Sequence, residues 1–362
     1  MTVFLVHAAH VKQVPGRQTD KADTRWRAKL MRHGLLQASF IPPIEQRDVR
    51  DLTRYRTKLV QERRREVKRV QGALERANIK LAAVATDIMG VSARASLAAL
   101  VEGRADPAAM AELAKRRLRR KRPRLEQALT GLVRDHHRQL RAMPWAHLDF
   151  LAEPIEALAA EMTRRLALLS GDDFPGVPPE PTGKTGGITP DMAGAPMTFA
   201  RALTLLATIP GVNPRGGELL VAEGGIDMGR LGTAARLAAW SGVAPGNDES
   251  AGKHRAGKTR QGHQALRTGL TQLAHAAART KGTYLSTLYQ RLATRRGKKR
   301  AIMAVAHAIV VRACHRLCRN EPYRELGAHD FDDHRRAHLA DQLTRRIERL
   351  GYRVTLEPIT AA

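Results

Sequence analysis

IEQRDVRDLTRYRTKLVQERRREVKRVQGALERANIKLAAVA, residues 44–85, is the stretch that sets the fold class. Val67, Val70, Leu74, Ala77 and Leu81 step by three and four through a background of Arg, Lys, Glu and Gln, the period of a helix with a single apolar seam. The segment reads as one long helix with a coiled-coil-like stripe. The same period recurs at 108–118, 124–140 and 154–169, where Ile155, Leu158, Met162, Leu166 and Leu169 fall on one face. This part of the chain is therefore expected to be a helical array. Upstream of it, Val3, Phe4, Leu5 and Val6 form a short apolar run followed by a Pro15-Gly16 turn signal, which reads as one buried strand.

Downstream, residues 170–196 read SGDDFPGVPPEPTGKTGGITPDMAGAP, too dense in Pro and Gly to sustain either period. An interdomain linker is expected there. Beyond it, helical patterns return at 199–208, 233–240, 264–279, 284–293 and 301–319, separated by glycine-rich turns. The expected divisions are a first segment at 1–43, a helical region at 44–169, the linker at 170–197, a second helical domain at 198–328 and a tail at 329–362. The fold class is mainly α.

The 362 residues carry 62 Lys and Arg against 35 Asp and Glu, a net charge of +27, which calls for a polyanionic partner. Hydrophobic residues make up 43% of the chain, enough for a sizeable core. Aromatics are only 4%, so stacked rings have little material for reading single strands, and phosphate contacts must carry the affinity. Two cysteines, Cys314 and Cys318, cannot build a disulfide framework, and residues 1–10 lack the pattern of a signal peptide, so the cytoplasm is the expected compartment. The best apolar run, 301–311, is short and flanked by Lys298, Lys299, Arg300 and Arg312, so no membrane span is expected.

Four groups of residues carry candidate chemistry. Asp20 and Asp23 sit three apart where Thr19 would cap a helix, so both project from one face of its first turn and could share a divalent metal; equally, acids there complement the helix macrodipole. LATIPGVNPRGGELLVAEGG, residues 206–225, suits a hairpin between two helices whose amides hold phosphate, or an ordinary packing corner. In AAWSGVAPGNDESAGKHRAGKTRQGHQALR, residues 238–267, Ser250 lies in a glycine-rich loop followed by Lys253, Arg255, Lys258, Arg260 and Arg267. A hydroxyl among cations is the chemistry of attack on a phosphodiester, though such a loop is also a common solvated turn. The run KRRLRRKRPR, with Lys115, Arg116, Arg119 and Arg120, joins RRGKKR at 295–300 as a candidate nucleic-acid surface. Metal coordination by His329, Asp330, Asp332, Asp333 and His334 is set aside, and Cys314 and Cys318, one turn apart, read as small buried hydrophobes.

The segments LATIPGV, LAAWSGVAP and ESAGKHRAGKTRQGHQALR, with the helix at 301–317 and the tail at 323–358, closely resemble the C-terminal domain of the insertion-sequence one-ten family of DEDD transposases. VPGRQTDKADTRWRAKLMRHGLL, SFIPP and RDLTRYRTKLVQERRREVKRVQ resemble the end of that family's RuvC-like, ribonuclease-H-like domain and its helical insertion. The resemblance implies a remnant of an α/β RuvC-like domain, a coiled-coil-like insertion and a helical serine-transposase domain with a helix-hairpin-helix-like element. It also implies Ser250 as nucleophile, Asp20 and Asp23 as the last two acids of a Mg²⁺-binding DEDD set, and DNA, an element-encoded structured guide RNA and further copies of the chain as partners. The first Asp and the Glu of the set match nothing here, and are expected upstream of Met1. The expected function is transposition through a serine–DNA phosphodiester, with the chain as written inactive. The alternative is a noncatalytic DNA- and RNA-binding remnant, and Ala251, where the family has Gly, is a small departure.

Overall fold

A computed structural model describes residues 5–6, 20–36, 39, 41–102, 106–132, 134–170, 197–246, 249–250, 252–254, 259, 261–328, 330–333 and 336–355. The chain divides into two compact units, Met1–Asp48 and Val49–Ala362. The expected linker at 170–197 lies almost wholly outside the described residues.

In the first unit, helix α1 spans Asp20–Arg32 and carries Lys29 and Arg32 at its carbonyl end, where cations complement the macrodipole. Gly34 stops it: at φ +66° it lets Leu35 N–H turn back to Leu30 O at 2.9 Å. The strand expected at Val3–Val6 is corrected. Val3 and Phe4 lie outside the described residues; Leu5 and Val6 form no strand, and Leu5 is 55% exposed. The Leu5 carbonyl accepts one bond, from Ser39 N at 2.6 Å, and one bond does not make a ladder.

Helix α2 spans Ile44–Arg76. It ends before the expected Ala85, because Asn78 takes a left-handed conformation (φ +59°) and Ile79 N–H bonds back to Leu74 O at 2.8 Å. The apolar seam nevertheless continues, with Ile79 and Leu81 buried, and α3 (Leu81–Val84) resumes the helix. Helix α4 (Val91–Val101), α5 (Pro107–Glu112), a 3₁₀ turn (Arg116–Lys121) and α6 (Arg122–Leu129) follow, then α7 (Asp135–Ser170). The helices expected at 108–118 and 124–140 are thus each divided. The Asp106 carboxylate caps α5 on the amides of Ala108 and Ala109, with Pro107 in its first turn. Helix α7 runs through Pro154, the expected start of a separate helix. Its buried face of Leu151, Ile155, Ala159, Met162 and Leu166 is continuous across the proline, so tertiary packing outweighs the missing backbone bond.

Helices α2 and α7 run antiparallel and link two cores. At one end Val70 and Leu148 join Leu97, Leu100, Met110, Leu125 and Leu129. Leu59 meets Leu151 and Ile155 midway. At the other end Val49 and Leu166 enter the main core, built from α8 (Phe199–Ala207), α9 (Pro214–Gly224), α10 (Ala234–Trp240), α11 (Gln264–Arg279), α12 (Tyr284–Arg296) and α13 (Lys298–Arg319). Side chains of Thr198, Asn213, Thr233 and Thr283 cap α8, α9, α10 and α12, which explains why these starts were readable. Helix α13 is long and apolar enough to cross a membrane by length and composition. Its Ile302, Val305, Ile309, Val310 and Leu317 are instead buried at the centre of this core. Cys314 is buried there as expected, its thiol pushed up to about 11 first by burial and then by Cys318, whereas Cys318 is exposed. The described residues contain two short strands, β1 (Glu249–Ser250) and β2 (Lys253–His254).

Candidate serine loop and nucleic-acid surface

The loop carrying Ser250 leaves α10 and returns at α11, and its two stems are fastened together. Val243 and Ala244 N–H both bond to Ala238 O, at 3.2 and 3.1 Å, and His263 N–H bonds to Trp240 O at 2.9 Å. The stems touch at two glycines: a Cβ on Gly262 would lie 2.2 Å from Gly242 N, so only hydrogen fits there. The imidazole of His263 stacks on Trp240 with centroids 4.9 Å apart. Above this base β1 and β2 pair antiparallel, Glu249 with His254 and Ser250 with Lys253, across a turn in which Gly252 has φ +75°. The loop is thus a hairpin on a clamped base, with Ser250 beside its turn.

Of the cations expected around Ser250, Lys253 lies directly across the hairpin from it. Arg267 projects from the first turn of α11 and donates to Thr259 Oγ at 2.9 Å, so it ties down the descending limb of the loop. Arg255, Lys258 and Arg260 lie outside the described residues. Ser241, the other serine of this region, is fully buried and its hydroxyl donates to Ala238 O at 2.9 Å. Packing removes it from reach of any phosphodiester.

The segment 206–225 forms the expected helix, turn and helix, α8 to α9, with Gly211 at φ +84° in the turn. Three of its amides are engaged within the corner. Val212 N bonds Ile209 O, Gly216 N bonds Asn213 Oδ1 and Gly217 N bonds Asn213 O, while Gly211 presses on the Ala277 backbone of α11. Beside this corner a cleft of about 1110 Å³ opens between α2, the turn and α11. Arg54, Arg56, Lys58 and Arg64 line its α2 wall, and Gln264, Thr268 and Gln272 its α11 wall. Arg215 Nη1 donates to both oxygens of Glu218, at 2.9 and 3.0 Å, Arg56 lies within reach of the charges of both, and the buried Arg56 Nε has no hydrogen-bond partner among the described residues. Burial holds the Glu218 carboxyl above its ordinary range against the pull of Arg215. The cleft thus sets basic and hydrogen-bonding side chains beside an apolar lining that includes Met162, Ile209, Val212 and Leu273.

Lys115, Arg116, Arg119 and Arg120 lie on the 3₁₀ turn and its N-terminal flank, and all four are exposed. The 3₁₀ turn buries none of its own side chains, so this stretch presents cations to solvent as a charged face.

One cluster was not foreseen. Glu223, at the end of α9 with its side chain 0% exposed, receives Arg54 Nε at 2.8 Å on Oε1 and Arg54 Nη2 at 2.9 Å on Oε2. Arg50 Nε reaches Oε2 at 3.2 Å and also donates to Ala222 O, so it caps the carbonyl end of α9. His263 Nε2 lies 2.9 Å from Arg54 Nη2. A neutral imidazole has one N–H and cannot accept at both nitrogens. The short Arg54 contact places the lone pair on Nε2, at the expense of the 3.4 Å contact between Leu266 N and Nδ1. Burial first, then Arg54 and Arg50, lower the His263 pKa below its ordinary value against the opposing pull of Glu223.

That shift sets a pH dependence. The unfolded imidazole takes a proton near 6.5 and the folded one only at lower pH, so stability is whole above 6.5 and falls as pH drops toward the folded value. His307, also lowered by burial, acts in the same sense. Urea unfolding between about pH 7 and pH 5 should therefore show a shallower loss for His263→Phe than for the unsubstituted chain.

The family described as Transposase IS116/IS110/IS902 matches residues 203–290, which contain the clamped loop and the corner beside it. A DEDD transposase family of the IS110 type matches residues 1–79. The chain belongs to the IS110-type transposases. No curated protein sequence matches it. This family acts in DNA transposition by insertion sequences, and its transposases bind DNA.

In this IS110-type transposase Asp20 and Asp23 occupy the first turn of α1, one helical turn apart as expected. Carboxylate oxygens are the hard donors that Mg²⁺ prefers. No three His, Cys, Asp or Glu side chains converge among the described residues. His329 and His334 lie outside those residues.

Proposed function

We propose that this transposase exchanges DNA strands through Ser250. The observation that carries the reading is the loop itself: a hairpin serine set opposite Lys253, on a base locked by Gly242, Gly262 and His263. The Ser250 Oγ attacks the phosphorus of a phosphodiester and gives up its proton. The bond to a deoxyribose oxygen breaks, that oxygen leaves as a hydroxyl, and a phosphoserine ester remains. The hydroxyl of a second DNA end reverses the step, which restores the serine and joins the new strand. Lys253, Arg255, Lys258 and Arg260 supply positive charge where the phosphorus oxygens gain negative charge, while Arg267 holds the loop. Asp20 and Asp23 would hold Mg²⁺ in a RuvC-like DEDD site, where the ion would stabilise charge on attacking and leaving oxygens.

The bound nucleic acids are DNA and a structured guide RNA, which reads the target by base pairing. The basic cleft and the 115–120 face take their phosphates, and further copies of the chain complete the assembly in the cytoplasm. Asp20 and Asp23 are two carboxylates where a DEDD site takes four. On that observation a second reading stands, in which this chain binds DNA and RNA without cutting either. Trapping separates the two: in an enzyme carrying all four acids, a covalent protein–DNA species that depends on Ser250 supports strand exchange, and binding without such a species supports the alternative.

Reversing Lys115, Arg116, Arg119 and Arg120 to Glu tests the surface. Affinity for duplex DNA of unrelated sequences should fall alike, and the slope of log affinity against log salt should shrink by about 0.9 for each phosphate that the protein ceases to neutralise. An unchanged slope would remove this face from the interface.

A further inference from the structure

We propose that Arg54, Glu223 and His263 are positioning residues of the serine loop, a latch through which the long helix α2 holds the base of that loop in place. The proposal rests on the reading of Ser250 as nucleophile. His263 is the residue at which the loop ends and α11 begins, and each side of it is engaged. Its N–H bonds Trp240 O at 2.9 Å, its ring stacks on Trp240, and Gly262 before it presses on Gly242. The free edge of the ring faces Arg54 Nη2 at 2.9 Å, and that guanidinium forks onto Glu223. The latch thus joins three elements far apart in sequence: α2, the end of α9 and the loop stem.

A buried carboxylate with two guanidiniums is a poor way to gain stability, since the desolvation of three charges offsets their attraction. Apolar side chains would hold α2 on α9 as well. What ions and a fixed imidazole add is direction: the planar Arg54 fork accepts one orientation of Glu223, and that orientation fixes where Nε2 must lie. A displacement of α2 would break the Arg54 contact first and release the ring that clamps the loop stems. Docking of α2 would therefore be coupled to a competent loop, and whatever nucleic acid or second copy shifts α2 would tune strand cutting from a distance.

The test uses the whole chain with Arg54→Ala, Arg54→Lys and His263→Phe, the last keeping a ring on Trp240 without the nitrogen. Hydrogen exchange is followed at the Gly242, Val243 and His263 amides, and tryptic cutting in the loop, which carries Lys253, Arg255, Lys258 and Arg260. Arg54→Ala and His263→Phe should each raise exchange at the three stem amides and loop cutting by about tenfold, while amides of Val305 and Ile309 in α13 stay within about twofold. Arg54→Lys, which keeps the charge but loses the fork, should restore only part of the protection. Combining Arg54→Ala with His263→Phe should add little to either alone, because both substitutions break the same hydrogen bond. Unchanged stem protection, or a uniform rise that includes α13, would overturn the latch. In an enzyme carrying all four DEDD acids, His263→Phe, which leaves the cations of the cleft in place, should slow cutting at saturating DNA and leave DNA affinity unchanged; weaker affinity with an unchanged rate would also overturn the latch. Loosened stems together with a covalent adduct on a residue other than Ser250 would leave the latch standing and remove the nucleophile reading.

Discussion

Ser250→Ala should abolish the covalent protein–DNA adduct in an enzyme that carries all four DEDD acids and is supplied with the structured RNA proposed above, and should lower strand exchange by roughly 10³-fold or more, while DNA affinity stays within about twofold. The size follows from the chemistry: without the hydroxyl there is no serine ester to form. Binding survives because one small group is removed from a loop whose base is held by backbone bonds at Val243, Ala244 and His263. Ser241→Ala is the control. That serine is buried and bonded to Ala238 O, so its removal should cost about 1 kcal/mol of stability and leave the adduct intact. Gel separation of denatured protein–DNA species checks both variants, and an adduct abolished by Ser241→Ala but not by Ser250→Ala would reverse the assignment.

Glu223→Ala should be among the most destabilising single substitutions of a charged residue in the chain. It leaves Arg50, only 16% exposed, and Arg54, 39% exposed, facing each other without the carboxylate between them. Removing one partner of a buried pair costs roughly 3–5 kcal/mol, and the partial exposure of Arg54 places this case toward the lower end. Glu223→Gln keeps the shape and one acceptor oxygen and should cost less. Glu161 gives the contrast. Arg164 and then Arg165 hold its carboxyl at about 2, but the pairs are solvated, and Glu161→Ala should leave the urea midpoint almost where it was. Equal midpoints for the Glu223 and Glu161 variants would show that the buried cluster contributes nothing.

Much of the helical framework was legible because it is local. The expected helix at 264–279 has both of its bounds in the structure, and Thr198, Thr233 and Thr283 announce helix starts that their hydroxyls cap. Ends were harder. The seam of α2 continues through Ile79 and Leu81 although the backbone turns at Asn78, so periodicity reported which residues are buried and not where the helix stops. Pro154 misled in the opposite sense, since a proline that ends an isolated helix is carried through one whose face is packed. The Val3–Val6 run has strand composition, but pairing depends on neighbours that no local pattern specifies.

Of the candidate site, the loop around Ser250 was legible as a loop from its glycines, and the clamp beneath it was not. Gly242 and Gly262 look like ordinary loop glycines until their backbones are seen in contact. The Glu223 cluster joins residues 169 positions apart, Arg54 with Glu223, and no spacing rule connects them. One signal was available: Glu218 and Glu223 are the acids of a short helix made otherwise largely of small and apolar residues, a pattern that asks for buried cations. The helix, turn and helix at 206–225 were legible as a shape, whereas the engagement of the Val212, Gly216 and Gly217 amides by Ile209 and Asn213 was not.

The most direct test of the account is to denature the reaction of the four-acid enzyme on labelled DNA, digest the trapped adduct and locate the nucleotide remnant by mass spectrometry. The account predicts the remnant on Ser250, in the peptide between Arg236 and Lys253. Cleaved DNA with the remnant on any other residue, or with no remnant on the protein at all, would contradict it.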